Sequence, residues 1–268
     1  CSHGCIYCDS RSKCYHIEHD FEDIEIKENA IELLEQALMK KRKKCMIGTG
    51  SMTDPYIPLE TELQNMRKTL ELIYKYEFGF TVITKSDRIL RDLDLLQKIN
   101  EKTKCVVQMT LTTYDENLCR KIEPNVCTTQ KRFETLKILR DAGIPTVVWL
   151  TPILPFINDT EDNISGILDM CAEAKVYGII CFGMGLTLRE GNREYFYKKL
   201  DALFPGLKNK YKEIYGNQYI IGSPENDRLM HLFNRKCSQN GIVHNNEQIF
   251  RYLQTFEQKN TFEQLTLL

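Results

Sequence analysis

Three cysteines stand within the first eight residues of the chain, in the segment CSHGCIYC. Their spacing is C-x3-C-x2-C, and an aromatic residue, Tyr7, directly precedes the third cysteine. Three thiolates on one short loop can hold three corners of a 4Fe–4S cube, and the fourth iron then has no protein ligand. An open iron is a position for chemistry, as the open coordination position is in a catalytic zinc site. The spacing therefore favours a reactive cluster with three metal ligands, Cys1, Cys5 and Cys8.

A zinc site is the alternative at the same cysteines, and it would need a fourth thiolate or imidazole nearby. The residues that could supply this ligand are Cys14, His3, His16 and His19. A disulfide framework is not expected, because the 11 cysteines are odd in number and spread over 268 residues. Cysteines scattered in this way are typical of a reducing compartment, which predicts a cytoplasmic protein.

Composition limits the classes of partner. Hydrophobic residues make up 42% of the chain and charged residues 27%, which is ordinary for a globular protein. The net charge of −1 lacks the basic excess of proteins that bind nucleic acid in bulk. Neither a membrane-spanning run nor a signal peptide is visible, so no membrane partner is expected. The basic run 40–44 could make the chain a nucleic-acid binder, but it ends a predicted helix, where cations favour the dipole and solvent.

Helix and strand patterns alternate along residues 28–184. Helical spacing of apolar residues predicts helices over 28–42, 60–76, 88–100 and 161–174, and a further helix that Thr128 caps and that ends at Gly143. Apolar runs predict strands over 43–50, 79–85, 105–112, 145–151 and 177–184. Such near-continuous apolar runs indicate parallel strands that are covered on both faces.

Strand and helix units in series close toward a barrel, so the chain is predicted to have an α/β fold. A functional loop in a barrel follows a strand, and no strand precedes Cys1. We therefore expect the first strand to be cut off, which makes the five visible strands part of a partial (β/α)6 TIM-like barrel over 1–200. The alternation ends near residue 201, and helical patterns near 224–240 and 246–258 predict a helical C-terminal extension over 201–268.

Polar and glycine-rich residues follow the predicted strands, where barrel enzymes place their chemistry. The candidates for binding a cofactor are Gly48, Gly50, Thr53, Asp54, Lys85, Thr110, Thr151 and Gly183. Glycines let the backbone approach a ligand, Thr53 and Asp54 offer acceptors for an ammonium group, and Lys85 suits a carboxylate. Each also has a plain structural interpretation, as a turn residue, a strand-forming threonine or a lysine that extends to solvent. Trp149 lies within a predicted strand and is expected in the core.

The cysteine motif resembles the signature of the radical S-adenosylmethionine (SAM) superfamily. Further segments resemble its spore photoproduct lyase-like branch, which is grouped with DNA repair photolyases: Ser51 to Asp54, Val82 to Lys85, Gln108 to Thr110 and Thr151 to Ile153. The resemblance covers most of residues 1–185 and implies the partial barrel. It implies that the open iron of a 4Fe–4S cluster chelates the amine and carboxylate of SAM. Reductive cleavage then yields a 5′-deoxyadenosyl radical, which abstracts hydrogen from a substrate.

By position, the resemblance implies SAM contacts at Tyr7, Thr53, Lys85, Thr110 and Thr151. One position departs from the branch, because spore photoproduct lyases return a hydrogen atom to the repaired thymine from a cysteine where this chain has Ser51. A serine O–H bond is much stronger than a thiol S–H bond, so Ser51 is expected to be a poor hydrogen-atom donor.

The prediction is therefore a radical SAM enzyme with an unknown substrate, an electron donor to its cluster and no assigned catalytic residue, acting as a monomer. Two alternatives stay open at this point. One is DNA lesion repair of the spore photoproduct lyase type, which the net charge does not support. The other is a non-catalytic module that binds zinc or an iron–sulfur cluster at the same three cysteines.

Overall fold

A five-stranded parallel sheet forms the centre of the computed structural model, which describes residues 1–259. The strands are Met46–Thr49 (β1), Gly79–Thr84 (β2), Cys105–Thr110 (β3), Thr146–Trp149 (β4) and Gly178–Ile180 (β5). They lie in the order β1-β2-β3-β4-β5, so each strand pairs with its successor in the chain. This order confirms the predicted α/β fold. Each strand is shorter than its predicted run, because residues at the ends of the runs belong to the connecting loops.

Helices alternate with these strands. They are Ala30–Lys40 (α1), Glu60–Leu63 (α2), Asn65–Lys75 (α3), Leu93–Lys102 (α4), Glu116–Ile122 (α5), Thr129–Asp141 (α6) and Glu161–Glu173 (α7). The helix predicted over 60–76 is interrupted at Gln64, which has a φ of 53°. The short helix α5 was not predicted, although Asp115 caps it by accepting a hydrogen bond from the Leu118 amide. Within residues 1–259, no helix is both long and apolar enough to cross a membrane.

The outer face of the sheet packs against the helices. Alternate residues of the central strands, such as Val82 and Val107, are fully buried with Leu70 of α3 and Ile99 of α4. All six residues of β3 are buried. A strand that is buried on both faces consists of a nearly continuous run of apolar residues. These central strands could therefore be predicted from the sequence.

The chain after β5 adds a second, smaller sheet and four helices. These elements are Gly185–Thr187 (β6), Asn192–Leu203 (α8), Leu207–Tyr215 (α9), Ile220–Gly222 (β7), Asn226–Gln239 (α10) and Asn246–Gln254 (α11). Strands β6 and β7 pair antiparallel and are here called the β6–β7 ribbon. The ribbon was not predicted, because strands of three residues carry too little periodicity. The helices predicted near 224–240 and 246–258 are present as α10 and α11.

Helix α11 covers the inner face of the parallel sheet. Its Ile249 and Leu253 share one hydrophobic cluster with Val106, Val147 and Ile180, which alternate with the outward residues of their strands. The predicted C-terminal extension therefore packs directly onto the barrel. Its predicted boundary at residue 200 stays a prediction, and residues 260–268 of the extension lie outside the described part of the chain.

Candidate active site

A cavity of about 780 Å³ opens at the C-terminal ends of the parallel strands. Its lining includes the three motif cysteines, Cys1, Cys5 and Cys8, together with Tyr7. It also includes one or more residues from the end of each strand: Gly50, Asp54, Lys85, Thr110, Thr151 and Gly183. The fold thus brings all three predicted metal ligands and most of the predicted cofactor-binding residues to one place.

Two of the predicted cofactor residues, Gly48 and Thr53, do not line this cavity. Gly48 is exposed within the edge strand β1, and Thr53 is exposed in the turn that follows it. Gly50 lies between them and has a φ of 97°. A Cβ built on Gly50 would overlap the carbonyl oxygen of Ile83. Glycine is therefore required here, because the backbone after β1 passes directly against β2.

Hydrogen bonds join the cysteine loop to the end of α5 and to the segment that follows it. The Ile6 amide donates to the carbonyl of Ile122 at 3.0 Å. The Asn125 amide donates to the carbonyl of His3 at 3.2 Å, and its side chain donates to the carbonyl of Ser2 at 3.0 Å. These bonds fix the backbone of a loop that has almost no regular structure of its own.

A buried side-chain network ties the same loop to the barrel. The Tyr7 hydroxyl donates a hydrogen bond to Glu123, and the Arg132 guanidinium donates to the other oxygen of the same carboxylate. The side chains of Glu123 and Arg132 are fully buried. Although burial opposes ionisation, the adjacent Arg132 charge holds the pKa of Glu123 below its usual range.

Arg132 extends this network to the strand ends. It donates to the carbonyl of Thr110, at the end of β3, at 3.0 Å and to the carbonyl of Cys127 at 2.9 Å. The carbonyl of Thr110 and the ring of Tyr7 are thereby fixed to the same ion pair. Neither Glu123 nor Arg132 was predicted from the sequence, because contacts between distant segments leave no local pattern.

Asp54 joins the turn after β1 to the end of β2. Its carboxylate accepts hydrogen bonds from the Tyr56 amide at 2.9 Å, the Thr84 hydroxyl at 2.8 Å and the Lys85 amide at 2.7 Å. The sequence suggested that this carboxylate offers acceptors to an ammonium group. In the structure its oxygens accept from three donors of the protein, which shapes this part of the cavity.

His3 lies beside this carboxylate, between two of the motif cysteines. Its Nδ1 atom is 3.5 Å from an Asp54 oxygen, and only 3% of the side chain is exposed. Burial lowers the pKa of His3, which favours the neutral ring. The Nε2 atom is buried and has no hydrogen-bond partner among residues 1–259. The sequence singled out His3 only as a possible zinc ligand.

Lys85 is the one lysine or arginine among the lining residues that the structure describes. Its Nζ atom lies 5.9 Å from the centre of the Tyr7 ring. None of the ion pairs formed within residues 1–259 involves Lys85. A cation that lines the cavity without an ion-pair partner among these residues is suited to bind an anionic group such as a carboxylate.

Another part of the lining comes from the end of β5, the β6–β7 ribbon and the first residue of α10. Its side chains are uncharged: Phe182, Met184, Leu186, Thr187, Ile220, Ile221 and Asn226. Phe182 is 63% exposed and Ile220 is 69% exposed, so two large apolar groups remain open to solvent here. This wall favours an uncharged, apolar part of a ligand.

Trp149 is partly buried against the hydrophobic cluster below α11, as expected for a core residue, and it also lines the cavity. Its indole Nε1 donates to Gln108 at 2.8 Å, and Gln108 donates in turn to Thr81 at 2.8 Å. The indole ring lies 6.2 Å from the ring of Phe182, centre to centre. The hydrogen bonds across β2, β3 and β4 hold the indole in place at the edge of the cavity.

The three motif thiols have the chemistry of a cluster site. Within residues 1–259, no group of three His, Cys, Asp or Glu side chains converges closely enough to hold a single metal ion. A cube needs thiolates that are separated, because each one binds a different iron. Burial raises the pKa of the Cys5 thiol to about 12, so binding of iron there would displace a proton. Of the other residues considered for zinc, only His3 lines the cavity.

Comparison with known proteins assigns the family. The model of the radical SAM superfamily matches residues 1–171. The chain belongs to the radical SAM superfamily. Radical SAM proteins use SAM and a 4Fe–4S cluster, which agrees with the donor set of this cavity.

The relatives of this radical SAM protein include uncharacterized proteins from bacteria and archaea. One from Mycobacterium tuberculosis is 27% identical over 221 residues, which are 80% of this chain and 64% of that protein. One from Methanocaldococcus jannaschii is 32% identical over 163 residues, which are 60% of each chain. The match thus spans less than two thirds of the length of these relatives.

Solved structures confirm the fold of this radical SAM protein. A spore photoproduct lyase double mutant with bound AdoMet and dinucleoside spore photoproduct has a TM-score of 0.64 at 14% identity. That similarity covers 90% of this chain and 72% of the lyase. The lyase complexed with dinucleoside spore photoproduct has a TM-score of 0.62 at 12% identity. The predicted partial TIM-like barrel is therefore correct.

Proposed function

We propose that this protein is an enzyme that binds a 4Fe–4S cluster on Cys1, Cys5 and Cys8 and cleaves SAM reductively. The reduced cluster would supply one electron to the sulfonium of SAM, breaking its bond to C5′ and giving methionine and a radical that takes hydrogen from a substrate. A low-potential electron donor is therefore a required partner.

One observation carries this proposal. The three motif thiols and residues from the ends of all five parallel strands line a single cavity. A zinc module would need only the thiols and a fourth ligand. A zinc module alone would not explain why the cavity extends from the thiols to Lys85, Thr110 and Thr151. The size and mixed lining of the cavity suit a ligand with charged, polar and apolar parts.

Different residues of the cavity are assigned to different groups of SAM. Lys85 forms no ion pair with the residues that the structure describes, and it is assigned to the carboxylate of SAM. Thr110 and Thr151, at the ends of β3 and β4, offer hydroxyls to the ribose. Gly50 and Gly183 contribute backbone to the lining of the cavity, and Tyr7 contributes an aromatic face next to the cluster ligands.

The substrate would enter along the uncharged wall formed by Phe182, Ile220 and the rest of the β6–β7 ribbon. Ser51 also lines the cavity, so the position of the lyase cysteine faces the ligand but lacks a thiol. Cys181 does not replace it, because that side chain is 6% exposed and its thiol donates toward Gly183 and Met230. This chemistry favours a reaction other than spore photoproduct repair.

The test is anaerobic reconstitution with iron and sulfide, reduction with dithionite in the presence of SAM, and chromatographic assay for 5′-deoxyadenosine. The wild type is expected to form the nucleoside, and Cys5→Ser is expected to lose both the cluster and the product. Cys14→Ser is the matched control, because Cys14 is an exposed thiol outside the cavity. A fully reduced wild-type cluster that leaves SAM intact, or a Cys5→Ser protein that still cleaves it, contradicts the proposal.

A further inference from the structure

We infer that Gly222 is a specificity-determining residue, because the side chain that it lacks leaves room in the cavity for an uncharged aromatic group of the substrate. The inference rests on the proposed function, since it concerns the substrate that shares this cavity with SAM. SAM is assigned to residues at the ends of β2, β3 and β4, whereas Gly222 belongs to the β6–β7 ribbon.

The fold itself does not require a glycine at position 222. Gly222 is the last residue of β7 and has no positive φ, so other residues could adopt its backbone conformation. A Cβ built on Gly222 meets no atom of residues 1–259 within 4 Å. Its strand partner Gly185 differs, because a Cβ there would overlap the carbonyl oxygen of Ile221. Packing therefore explains Gly185 but not Gly222.

A glycine within a paired strand weakens the strand, and it commonly marks a bulge, a closely approaching backbone or a ligand. A bulge is excluded, because the residues of β6 and β7 pair one to one. The pairing continues past Gly222, since the Ser223 amide donates to the carbonyl of Met184 at 2.7 Å. The open space around the Cβ position excludes a close backbone. A ligand is the remaining reason.

The side chain missing from Gly222 would lie on the outer face of the ribbon. Ile221 is fully buried in a hydrophobic cluster, whereas Ile220 and Gly222 are exposed. Because residues two apart in a strand share a face, a Cβ on Gly222 would lie on the side of Ile220, and both residues line the cavity. The Tyr215 hydroxyl donates to the carbonyl of Gly222 at 2.7 Å, so the backbone is held in place there.

The lining beside Gly222 carries no charge and few free polar groups. Its one amide side chain, Asn226, is engaged by the protein. The Asn226 oxygen accepts from the Met184 amide at 2.9 Å, and its nitrogen donates to Asp227 at 3.0 Å. A ligand group in this space would therefore be held mainly by apolar contact, for which the available room matters most.

Phe182 makes an aromatic group the best match. It lies two residues before Met184, which pairs with the neighbour of Gly222. Its ring is 6.2 Å from that of Trp149 and 6.3 Å from that of Phe250, centre to centre, yet Phe182 stays 63% exposed. Rings attract one another at such distances, so the open side of Phe182 can pack against one more ring.

The test measures binding of N-phenyl-1-naphthylamine, an uncharged aromatic probe, to the reconstituted protein by anaerobic equilibrium dialysis with SAM present. Gly222→Val is expected to weaken binding of the probe about tenfold or more, the usual size of an overpacking effect, and to leave the affinity for SAM unchanged. Gly222→Ala is expected to weaken it less. Its free energy of unfolding should equal or exceed that of the wild type, because alanine restricts the unfolded chain.

Gln218→Val is the matched control, because Gln218 is exposed just before β7 and lies outside the cavity lining. It should bind the probe as the wild type does. Thymidine is a second probe, whose ring is uncharged but carries hydrogen-bonding edges that this lining does not complement. We expect thymidine to bind more weakly than N-phenyl-1-naphthylamine.

A wild type that does not bind the probe, or binding that Gly222→Val and Gly222→Ala leave unchanged, overturns the inference. Displacement of the probe by SAM, or a loss of SAM affinity in Gly222→Val, also overturns it, because the space would then belong to SAM. Tighter binding of thymidine would contradict the apolar character of the group. A wild-type protein that holds the cluster but binds no SAM overturns the proposed function itself, which distinguishes the two failures.

Discussion

Tyr7 donates a hydrogen bond to Glu123, a residue 116 positions later in the chain. Tyr7 lies between two of the cysteines assigned to the cluster, and Glu123 is paired with Arg132 in a fully buried ion pair. Because Arg132 also donates to the carbonyl of Thr110, the cysteine loop and the end of β3 are held by one network. The positions of the three motif cysteines and of the strand ends are therefore coupled.

Glu123→Ala is expected to destabilise the protein by about 3–5 kcal/mol, because it leaves the buried Arg132 charge without a partner. Tyr7→Phe removes only one hydrogen bond to the carboxylate and is expected to cost about 1–3 kcal/mol. Urea unfolding of the cluster-free proteins measures both. A smaller loss for Glu123→Ala than for Tyr7→Phe would contradict the importance of the ion pair.

The same ion pair predicts a dependence of stability on pH. Arg132 keeps the pKa of the buried Glu123 below the ordinary value of 4.5. The stabilisation by this carboxylate is therefore present above pH 4.5 and is lost as the pH falls through the folded-state pKa. The difference in unfolding free energy between the wild type and Glu123→Gln is expected to be constant from pH 7 to 5 and to shrink below 4.5. A difference that stays constant down to pH 3 would show that another interaction causes it.

Gly50→Ala is expected to be much more destabilising than Gly143→Ala. Both glycines have a positive φ, 97° and 73° respectively. A Cβ on Gly143 meets nothing within 4 Å, whereas one on Gly50 overlaps the Ile83 carbonyl. Gly143→Ala should cost about 1–2 kcal/mol for the backbone conformation, and Gly50→Ala about 3 kcal/mol or more because backbone must also move.

Thermal or urea unfolding compares the two glycine variants. Anaerobic dialysis would also show whether Gly50→Ala loses SAM, as expected when the backbone at the cavity is displaced. Equal unfolding free energies for the two variants would mean that the close approach of the chain after β1 to β2 is not maintained in solution.

Trp149 is the single tryptophan of the chain, and it lines the cavity. An iron–sulfur cluster absorbs in the range where tryptophan emits, so loading the cluster is expected to quench the emission. Removal of iron with a chelator should restore it. Cys5→Ser treated in the same way is the control and should keep its emission throughout. Emission that does not respond to confirmed cluster loading would contradict the placement of Trp149 beside the site.

The sequence was most informative where local chemistry and periodicity carry the signal. The cysteine spacing predicted three metal ligands that the fold brings to one cavity. The apolar runs of β2 and β3 predicted buried parallel strands, because burial on both faces removes polar positions. The polar residues at the strand ends could also be predicted, since Lys85, Thr110 and Thr151 lie at or near the ends of apolar runs. The ribbon and α5 were missed because segments of three to seven residues, such as β6, β7 and α5, are too short to show a period.

By itself, the sequence determined the donor set, the α/β alternation and the family to which both point. Only the tertiary structure decided which residues hold these parts together. Glu123 accepts a hydrogen bond from Tyr7, and Asp54 accepts hydrogen bonds from Thr84 and from the Lys85 amide at the end of β2. The physical reason is that hydrogen bonds and charge pairs between distant segments depend on how the chain closes on itself. A short motif can predict the ligands of a site, whereas the packing of the whole barrel determines which residues surround those ligands.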